Sequence, residues 1–142
     1  MDIICLSSIY ETEPIDMQPD AGLFYNMVLK AESVLDPYKI LELTQITEME
    51  MGREKKERNK NGIFEDRLID IDILLAGNEI IESEQFILPH KEMIHRAFVL
   101  IPLCEIEFDL YHPVHKKSIS SFLESLTDKK GIVKIDCKNH SF

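Results

Sequence analysis

Hydrophobic residues cluster in two segments near the start of the chain. Residues 2–9, DIICLSSI, contain no helix breaker and are typical of a strand. Residues 10–22 contain two prolines and end in glycine, which predicts a loop of about a dozen residues. Residues 23–33, LFYNMVLKAES, are predicted to form a strand with apolar side chains on both faces. Asn26 lies among these apolar side chains. The pattern therefore predicts two strands joined by a loop long enough to be functional.

Helical spacing marks three later segments. Asp36 before a proline is a typical N-cap, and apolar residues then recur every three or four positions up to Gly52. Residues 91–105 have similar spacing, with apolar side chains expected to point inward at Met93, Ala97, Leu100, Ile101 and Cys104. A last short helix is predicted from Ser118, and a final strand, GIVKID, from Gly131.

The elements follow the order strand, strand, helix, strand, helix, helix, strand. This order favours the α+β class, with a mainly antiparallel sheet covered by helices on one face. With 142 residues, of which 44% are hydrophobic, the chain has the length and apolar content of one domain, residues 1–142.

Composition narrows the classes of function. The formal net charge of -10 argues against binding to nucleic acid or anionic membranes, which requires broad basic surfaces. Three cysteines without CxxC spacing fit free thiols in a reducing compartment, and the apolar runs are too short to span a membrane. We therefore expect a cytoplasmic protein, and small anionic ligands remain compatible with its charge.

The most apolar run, FEDRLIDIDILLAG at residues 64–77, carries two aspartates. On a strand, Asp70 and Asp72 share one face, with their β-carbons about 7 Å apart. Carboxylates this close repel unless a cation lies between them, and Mg²⁺ combines one or two carboxylates with substrate phosphate oxygens. A bare DxD is more often a solvated strand face. Arg67 and the basic segment at residues 53–60 lie just upstream, however, and together they favour an enzyme that handles a nucleotide polyphosphate.

The segment DRLIDIDILL closely resembles the signature of the 6-hydroxymethyl-7,8-dihydropterin pyrophosphokinase family of folate biosynthesis. Four further blocks resemble this family and occur in its order: SSIYETEPI, FYN, QITEMEMGR and LPHKEMIHRAFVLIPLCEI. Together they are far more specific than DxD alone. The resemblance implies a ferredoxin-like sandwich and the transfer of pyrophosphate from ATP to the hydroxymethyl oxygen of the pterin, giving AMP.

The resemblance also implies the residues of the site. Asp70 and Asp72 would hold two Mg²⁺ ions, with Asp70 also near the attacking hydroxyl, while Arg67 and Arg53 would neutralise the transferred group. The ATP site would comprise Gln45, Glu48, Arg67, Ile73, His90 and Arg96. The pterin site would comprise Thr12, Glu13, Ile15, Phe24, Asn26, Asp70 and Phe98.

Taken singly, several of these residues have a simpler explanation. Asn26 could be satisfied by neighbouring backbone, and Phe24 and Phe98 could belong to the core. His90 could cap the helix that follows it, and the basic segment could be a solvated loop.

The sequence departs from the family pattern at its start. Members normally carry, upstream of what is residue 2 here, a strand with a Gly-Ser-Asn motif and a helix, and this chain has neither. We expect the sheet edge and apolar surface left uncovered to favour pairing, which makes a dimer the alternative to the monomer typical of the family. Two other functions are alternatives to the pyrophosphokinase. One is a catalytically impaired or fragmentary relative that binds pterin or nucleotide, and the other is a metal-dependent phosphohydrolase that needs no pterin.

Overall fold

The computed structural model describes residues 1–13, 24–52 and 69–135. The strands are β1 (Asp2–Leu6), β2 (Tyr10–Thr12), β3 (Phe24–Asn26), β4 (Leu29–Glu32), β5 (Ile81–Glu82), β6 (Ile87–Leu88) and β7 (Ile132–Lys134). The helices are α1 (Pro37–Glu50), α2 (Ala97–Ile106) and α3 (Ile119–Ser125), and a 3₁₀ turn (Met93–His95) precedes α2. None of the helices in these ranges is long and apolar enough to cross a membrane.

The strand pairings within the described ranges are all antiparallel. β1 pairs with β4, and the register shifts between Ile3 and Cys5. β2 lies between β3 and β7, so that Thr12 is opposite Phe24 on one side and Ile132 on the other. β5 and β6 form a third, two-stranded pairing. This mixture of helices and antiparallel strands confirms the α+β class, and β7 confirms the predicted final strand.

Both strands predicted near the start are corrected by the structure. The first, residues 2–9, is shortened to β1, and β2 lies within residues 10–22, which were predicted as a loop. The second, residues 23–33, is divided into β3 and β4. The division falls where the chain passes Ser7 and Val28. The Ser7 N–H donates to the Val28 carbonyl at 2.8 Å, while the Val28 N–H donates to Ser7 Oγ at 2.9 Å. A side-chain oxygen here takes the place of a backbone acceptor, so the regular pairing is interrupted. The β1–β4 pair ends at this point, and the β2–β3 pair forms beyond it.

Residues 69–76, predicted as a strand, have no strand partner within the described ranges and are not a strand. The predicted division into two faces is nevertheless present, because Asp70 and Asp72 are exposed while the isoleucines beside them are half-buried. The His90 N–H donates to the Leu74 carbonyl at 2.8 Å and joins this segment to the chain after β6. Alternation of polar and apolar residues shows that an extended segment has one exposed side and one covered side. A β-strand needs, in addition, a neighbouring strand with which it forms backbone hydrogen bonds.

Helix α1 begins and ends as the sequence predicts. The Asp36 carboxylate accepts the Lys39 N–H at 3.1 Å, which satisfies one of the free donors of the first turn. Past the last turn, Gly52 has φ of 120°, a conformation that favours glycine. Leu43 and Ile46 are partly exposed, so the described residues cover the apolar side of this helix incompletely.

The core lies between α2, α3 and the 3₁₀ turn. It is formed by Met93, Leu100, Leu103, Cys104 and Ile119. The inward positions predicted for this region are buried at Met93, Ala97, Leu100 and Cys104, and half-buried at Ile101. The predicted helix over residues 91–105 is too long, however, because Arg96 is extended (φ -117°, ψ 109°) and α2 begins only after it.

The turn between α2 and α3 is organised around His112, which is only 4% exposed. Its ring nitrogen Nδ1 accepts the N–H groups of Val114 at 3.2 Å and His115 at 3.1 Å. Its ring also lies edge-on to Phe122, with centroids 5.7 Å apart. Burial, assisted by the neighbouring His115, lowers the pKa of His112 below its ordinary value. The folded protein therefore favours the neutral form of this imidazole.

We expect the free energy of unfolding to decrease as the pH falls below about 6.5, the ordinary histidine value. Because the pKa of His112 is lower in the folded chain, the unfolded chain binds more protons in this range. The stabilisation is fully present above the unfolded-state pKa and is lost as the pH falls through the folded-state pKa. In His112→Asn, the side-chain oxygen retains an acceptor but does not titrate, so stability should depend less on pH.

Urea unfolding at about pH 8 and about pH 5 measures this difference. His95→Asn removes an exposed histidine from outside the turn and serves as the control. Equal pH dependence in the wild type and His112→Asn would show that the turn does not depend on a neutral ring.

Candidate active site

Strands β2 and β3 bring together the predicted pterin residues. Asn26 Nδ2 donates to Thr12 Oγ1 at 3.1 Å. Thr12 is buried, whereas Phe24, directly opposite it, is 56% exposed. Residues two apart on a strand share a face, so Phe24 and Asn26 flank the same patch of surface. Within the described ranges, the Asn26 side chain makes this one hydrogen bond, which leaves its carbonyl oxygen available to a ligand.

Glu13, at the end of β2, is fixed through its backbone. Its N–H donates to the Gly131 carbonyl at 3.0 Å, just before β7. Gly131 has φ of 75°, and a β-carbon built there would lie 3.2 Å from the Glu13 side chain. A larger residue at position 131 would therefore be both strained and crowded. Ile15, the next predicted pterin residue, lies outside the described residues.

His90 and Asp72 lie close together, with 3.9 Å between His90 Nε2 and Asp72 Oδ2. The other ring nitrogen of His90, Nδ1, accepts the Glu92 N–H at 3.1 Å. In the neutral ring, an Nδ1 that accepts leaves the proton on Nε2, the atom that faces the carboxylate. His90 therefore holds the backbone just before the 3₁₀ turn, whose N-cap residue, Glu92, has no side-chain cap bond, and the same contact orients the ring toward Asp72.

Two further residues predicted for the site lie at the start of α2. Arg96 Cζ lies 5.6 Å from the centroid of the Phe98 ring, and both residues are half-buried. A guanidinium over a ring face at this distance is held by a cation–π interaction. The contact fixes the positive charge of Arg96 beside the aromatic surface of Phe98.

Gln45 and Glu48, both on helix α1, differ in their exposure to solvent. Gln45 is exposed and lines an open cleft together with Tyr38 and Gln85. Glu48 is 5% exposed, so its side chain lies inside the fold. In the part of the chain that the structure describes, Gln45 makes no direct hydrogen bond with the other predicted ATP residues. The structure thus places the two residues on one helix without joining Gln45 to the pair formed by His90 and Asp72.

The remaining predicted residues divide into two groups. Ile73 is half-buried and follows the exposed Asp72. Arg53 and Arg67, the two predicted charge-neutralising arginines, lie outside the described residues. Among the described side chains, no group of three or more His, Cys, Asp or Glu could hold a metal by itself. The exposed carboxylates of Asp70 and Asp72 would therefore need further oxygen ligands from a substrate or from water to complete a cation site.

A three-residue contact near this site was not predicted from the sequence. The Glu105 carboxylate accepts Tyr10 Oη–H at 2.5 Å, and it also accepts the N–H of Ser8 at 2.7 Å and the Ser8 hydroxyl at 2.9 Å. These residues are 95 and 97 positions apart in the chain. The only local signal is that Glu105 is the single charged residue in α2, AFVLIPLCEI.

The charges of this contact are well defined. Burial raises the pKa of Tyr10, as do the hydrogen bond to Glu105 and its negative charge, to about 12. Burial raises the pKa of Glu105. The hydrogen bonds from Tyr10 and Ser8, together with the charge of Lys134, lower this pKa by a larger amount, so the net shift is downward. At neutral pH the contact therefore consists of a carboxylate and a protonated tyrosine.

Comparison with known proteins supports the sequence resemblance. The family model described as 7,8-dihydro-6-hydroxymethylpterin-pyrophosphokinase matches residues 1–108. The 2-amino-4-hydroxy-6-hydroxymethyldihydropteridine pyrophosphokinase of Bacillus subtilis (strain 168) is 41% identical over 127 residues, 89% of this chain and 68% of that protein.

Two other relatives differ greatly in length. The protein of the same name from Haemophilus influenzae is 38% identical over 130 residues, 92% of this chain and 77% of that protein. The folic acid synthesis protein fol1 of Pneumocystis carinii is 40% identical over 126 residues, and the match covers 89% of this chain but 16% of that much longer protein. Since the family model covers residues 1–108 of 142, the chain belongs to the 7,8-dihydro-6-hydroxymethylpterin-pyrophosphokinase family.

Proposed function

We propose that this chain transfers pyrophosphate from ATP to 6-hydroxymethyl-7,8-dihydropterin, giving AMP and the pterin pyrophosphate. The observation that carries this proposal is the family match over residues 1–108, which contains every residue predicted for the site. Four relatives with the pyrophosphokinase name match 73 to 92% of the chain. The reaction belongs to folate biosynthesis.

The proposed architecture is a single domain, residues 1–142, with a ferredoxin-like sandwich of helices on an antiparallel sheet. The antiparallel pairings and the packing of α2 on α3 support it. The free thiols of Cys5 and Cys104 support a cytoplasmic location. The exposed apolar side chains of Ile3, Ile4 and Leu6 on β1 support pairing of two copies as the alternative to a monomer.

Mg²⁺ fits the residues present. Asp70 and Asp72 are exposed carboxylates two positions apart in the chain, and Mg²⁺ prefers hard oxygen donors of this kind. The lack of a third ligand among the described side chains suits an ion whose other positions are taken by phosphate oxygens and water. When bound, two Mg²⁺ ions would supply neutralisation of the phosphate charge. His90 Nε2 would keep the Asp72 carboxylate oriented while the ions and ATP bind.

ATP would be bound by residues from three elements. Arg96, held by Phe98, and His90 supply donors for phosphate or ribose oxygens. Gln45 and Glu48 on α1, with the backbone of Ile73, would line the nucleoside. Arg53 and Arg67 would add positive charge to the transferred group, since this chemistry depends mainly on positioning and charge neutralisation.

The pterin would lie on the surface formed by β2 and β3. Asn26, held by Thr12, offers an amide edge that matches the donor and acceptor edge of a pterin. Phe24 and Phe98 would flank the flat ring, and the backbones of Glu13 and Ile15 would add hydrogen bonds. Asp70 would lie near the attacking hydroxyl. This arrangement would bring the acceptor beside the phosphates of ATP.

The purified chain should form AMP from ATP and Mg²⁺ only when 6-hydroxymethyl-7,8-dihydropterin is added. Separation of the nucleotides by chromatography measures AMP directly. Phosphate release from ATP without pterin would instead favour a phosphohydrolase. Binding of the pterin without AMP formation would identify a catalytically impaired relative.

Replacement of one carboxylate should reduce turnover strongly and leave the fold intact. In Asp72→Asn, loss of a metal ligand from an exposed position should reduce kcat by about 100-fold, corresponding to ~3 kcal/mol in the barrier. Asp109→Asn removes an exposed carboxylate from the turn after α2 and should keep wild-type activity. Full activity of Asp72→Asn would exclude Asp72 as a metal ligand.

Removal of the Asn26 amide should weaken binding of the pterin but not binding of ATP. For Asn26→Ala we expect KM for the pterin to rise about tenfold, the equivalent of about one hydrogen bond to a buried ligand, with KM for ATP unchanged. Tyr25→Phe changes the opposite face of β3 and is the matched control. If both KM values rose together, Asn26 would have a general structural role.

A further inference from the structure

The Glu105 carboxylate is unusual in using both oxygens to hold another part of the chain. One oxygen accepts from the side chain of Tyr10, and the other accepts two bonds from Ser8. Three donors from one short segment, residues 8–10, therefore converge on a single side chain. Hydrogen bonds to an ionised acceptor are stronger than those between neutral groups.

This contact lies directly next to the surface proposed for the pterin. Tyr10 is opposite Asn26 in the β2–β3 pairing, and Thr12 follows Tyr10 on the same face. Tyr10 and Thr12 are both buried, at 7% and 5% exposure. A shift of Tyr10 would consequently be transmitted through β2 to the hydrogen bond between Thr12 and Asn26.

The other end of the connection is a rigid helix. Glu105 lies in the last turn of α2, and Leu100 and Leu103 of the same helix are buried in the core. Arg96 and Phe98 lie at the beginning of this helix, with Phe98 about 10 Å from Glu105 along the axis at 1.5 Å per residue. The same helix thus contacts the pterin-side strand at one end and carries proposed ligand residues at the other.

A carboxylate accepts every hydrogen bond in this set of contacts. The Ser8 N–H, the Ser8 hydroxyl and the Tyr10 hydroxyl can all donate, and a carboxylate accepts on both oxygens. A glutamine would present an NH₂ group to one of these partners, so that a hydroxyl would have to accept instead of donate, and the charge that strengthens the bonds would be lost. The lowered pKa of Glu105 and the raised pKa of Tyr10 keep both groups in the required state at neutral pH.

We propose that Glu105 is a positioning residue for the pterin, because it holds β2 against α2 and so fixes the Thr12–Asn26 pair relative to Phe98. The proposal rests on the proposed function, since it assumes that this surface binds the pterin. Glu105 does not act on the substrate directly. Its effect passes through Tyr10 and Ser8.

Glu105→Gln and Tyr10→Phe test the proposal in the AMP assay. We expect KM for the pterin to rise about tenfold in Glu105→Gln and several-fold in Tyr10→Phe, with KM for ATP within about twofold of wild type. A general loss of structure would raise both constants or lower the amount of folded enzyme. The double variant should be no worse than Glu105→Gln alone, because both changes break the same contact.

Glu107→Gln is the matched control. Glu107 is the residue after α2 and pairs with Lys30 of β4, so its replacement also breaks a contact between this end of α2 and a strand. β4 carries none of the proposed pterin residues, and KM for the pterin should remain at the wild-type value. A similar rise in Glu107→Gln and Glu105→Gln would overturn the specific role of Glu105, as would an unchanged KM in both Glu105→Gln and Tyr10→Phe.

Equilibrium dialysis of the pterin separates this proposal from the proposed reaction. If the wild type binds the pterin without forming AMP, the reaction fails, and weaker binding by Glu105→Gln would still support positioning. If the wild type neither binds the pterin nor forms AMP, both proposals are overturned. If Glu105→Gln does not fold, the pterin dissociation constant of Tyr10→Phe tests the positioning role of Glu105 instead.

Discussion

Burial of one side of α2 against α3 is the interaction on which the described site depends most. Met93, Leu100 and Ile119 are fully enclosed, and this fixes the helix and the turn before it. Arg96 and Phe98 are then held at the start of α2, and Glu105 at its end. Dense packing of this kind allows little adjustment, so a helix with a buried centre can position polar groups at both ends.

The polar part of the site combines contacts that perform two tasks at once. His90 accepts a backbone N–H from the following turn and faces Asp72 with its other nitrogen. Asn26 uses one amide hydrogen for Thr12, and its carbonyl oxygen makes no hydrogen bond within the described ranges. In each case an intramolecular contact orients a group whose remaining hydrogen-bonding capacity faces the surface. Such preorientation reduces the entropy lost when a ligand binds.

Local features of the sequence predicted local structure well. The Asp36 cap, the Gly52 terminus, α3 and the alternating exposure around Asp70 and Asp72 each depend on residues close together in the chain. Most failures involve distant partners, although the helix predicted over residues 91–105 also proved too long at its start, where Arg96 is extended. Residues 69–76 have a strand pattern but no strand beside them, and Ser7 interrupts a strand through Val28, 21 positions away. Likewise, the single charge in α2 does not reveal that Glu105 contacts Ser8 and Tyr10. The family motif, by contrast, predicts site residues that are far apart in the chain.

The His90 contact has a further consequence for how the site can respond to charge. A neutral imidazole has one N–H, and here the Glu92 backbone determines which nitrogen carries it. The ring cannot be turned over to offer an acceptor to Asp72 without releasing Glu92. An acceptor on that side, whether Asp72 or an incoming phosphate oxygen, therefore always faces the N–H of Nε2. On this side the neutral ring can donate a hydrogen bond to a carboxylate or phosphate oxygen, but it cannot accept one.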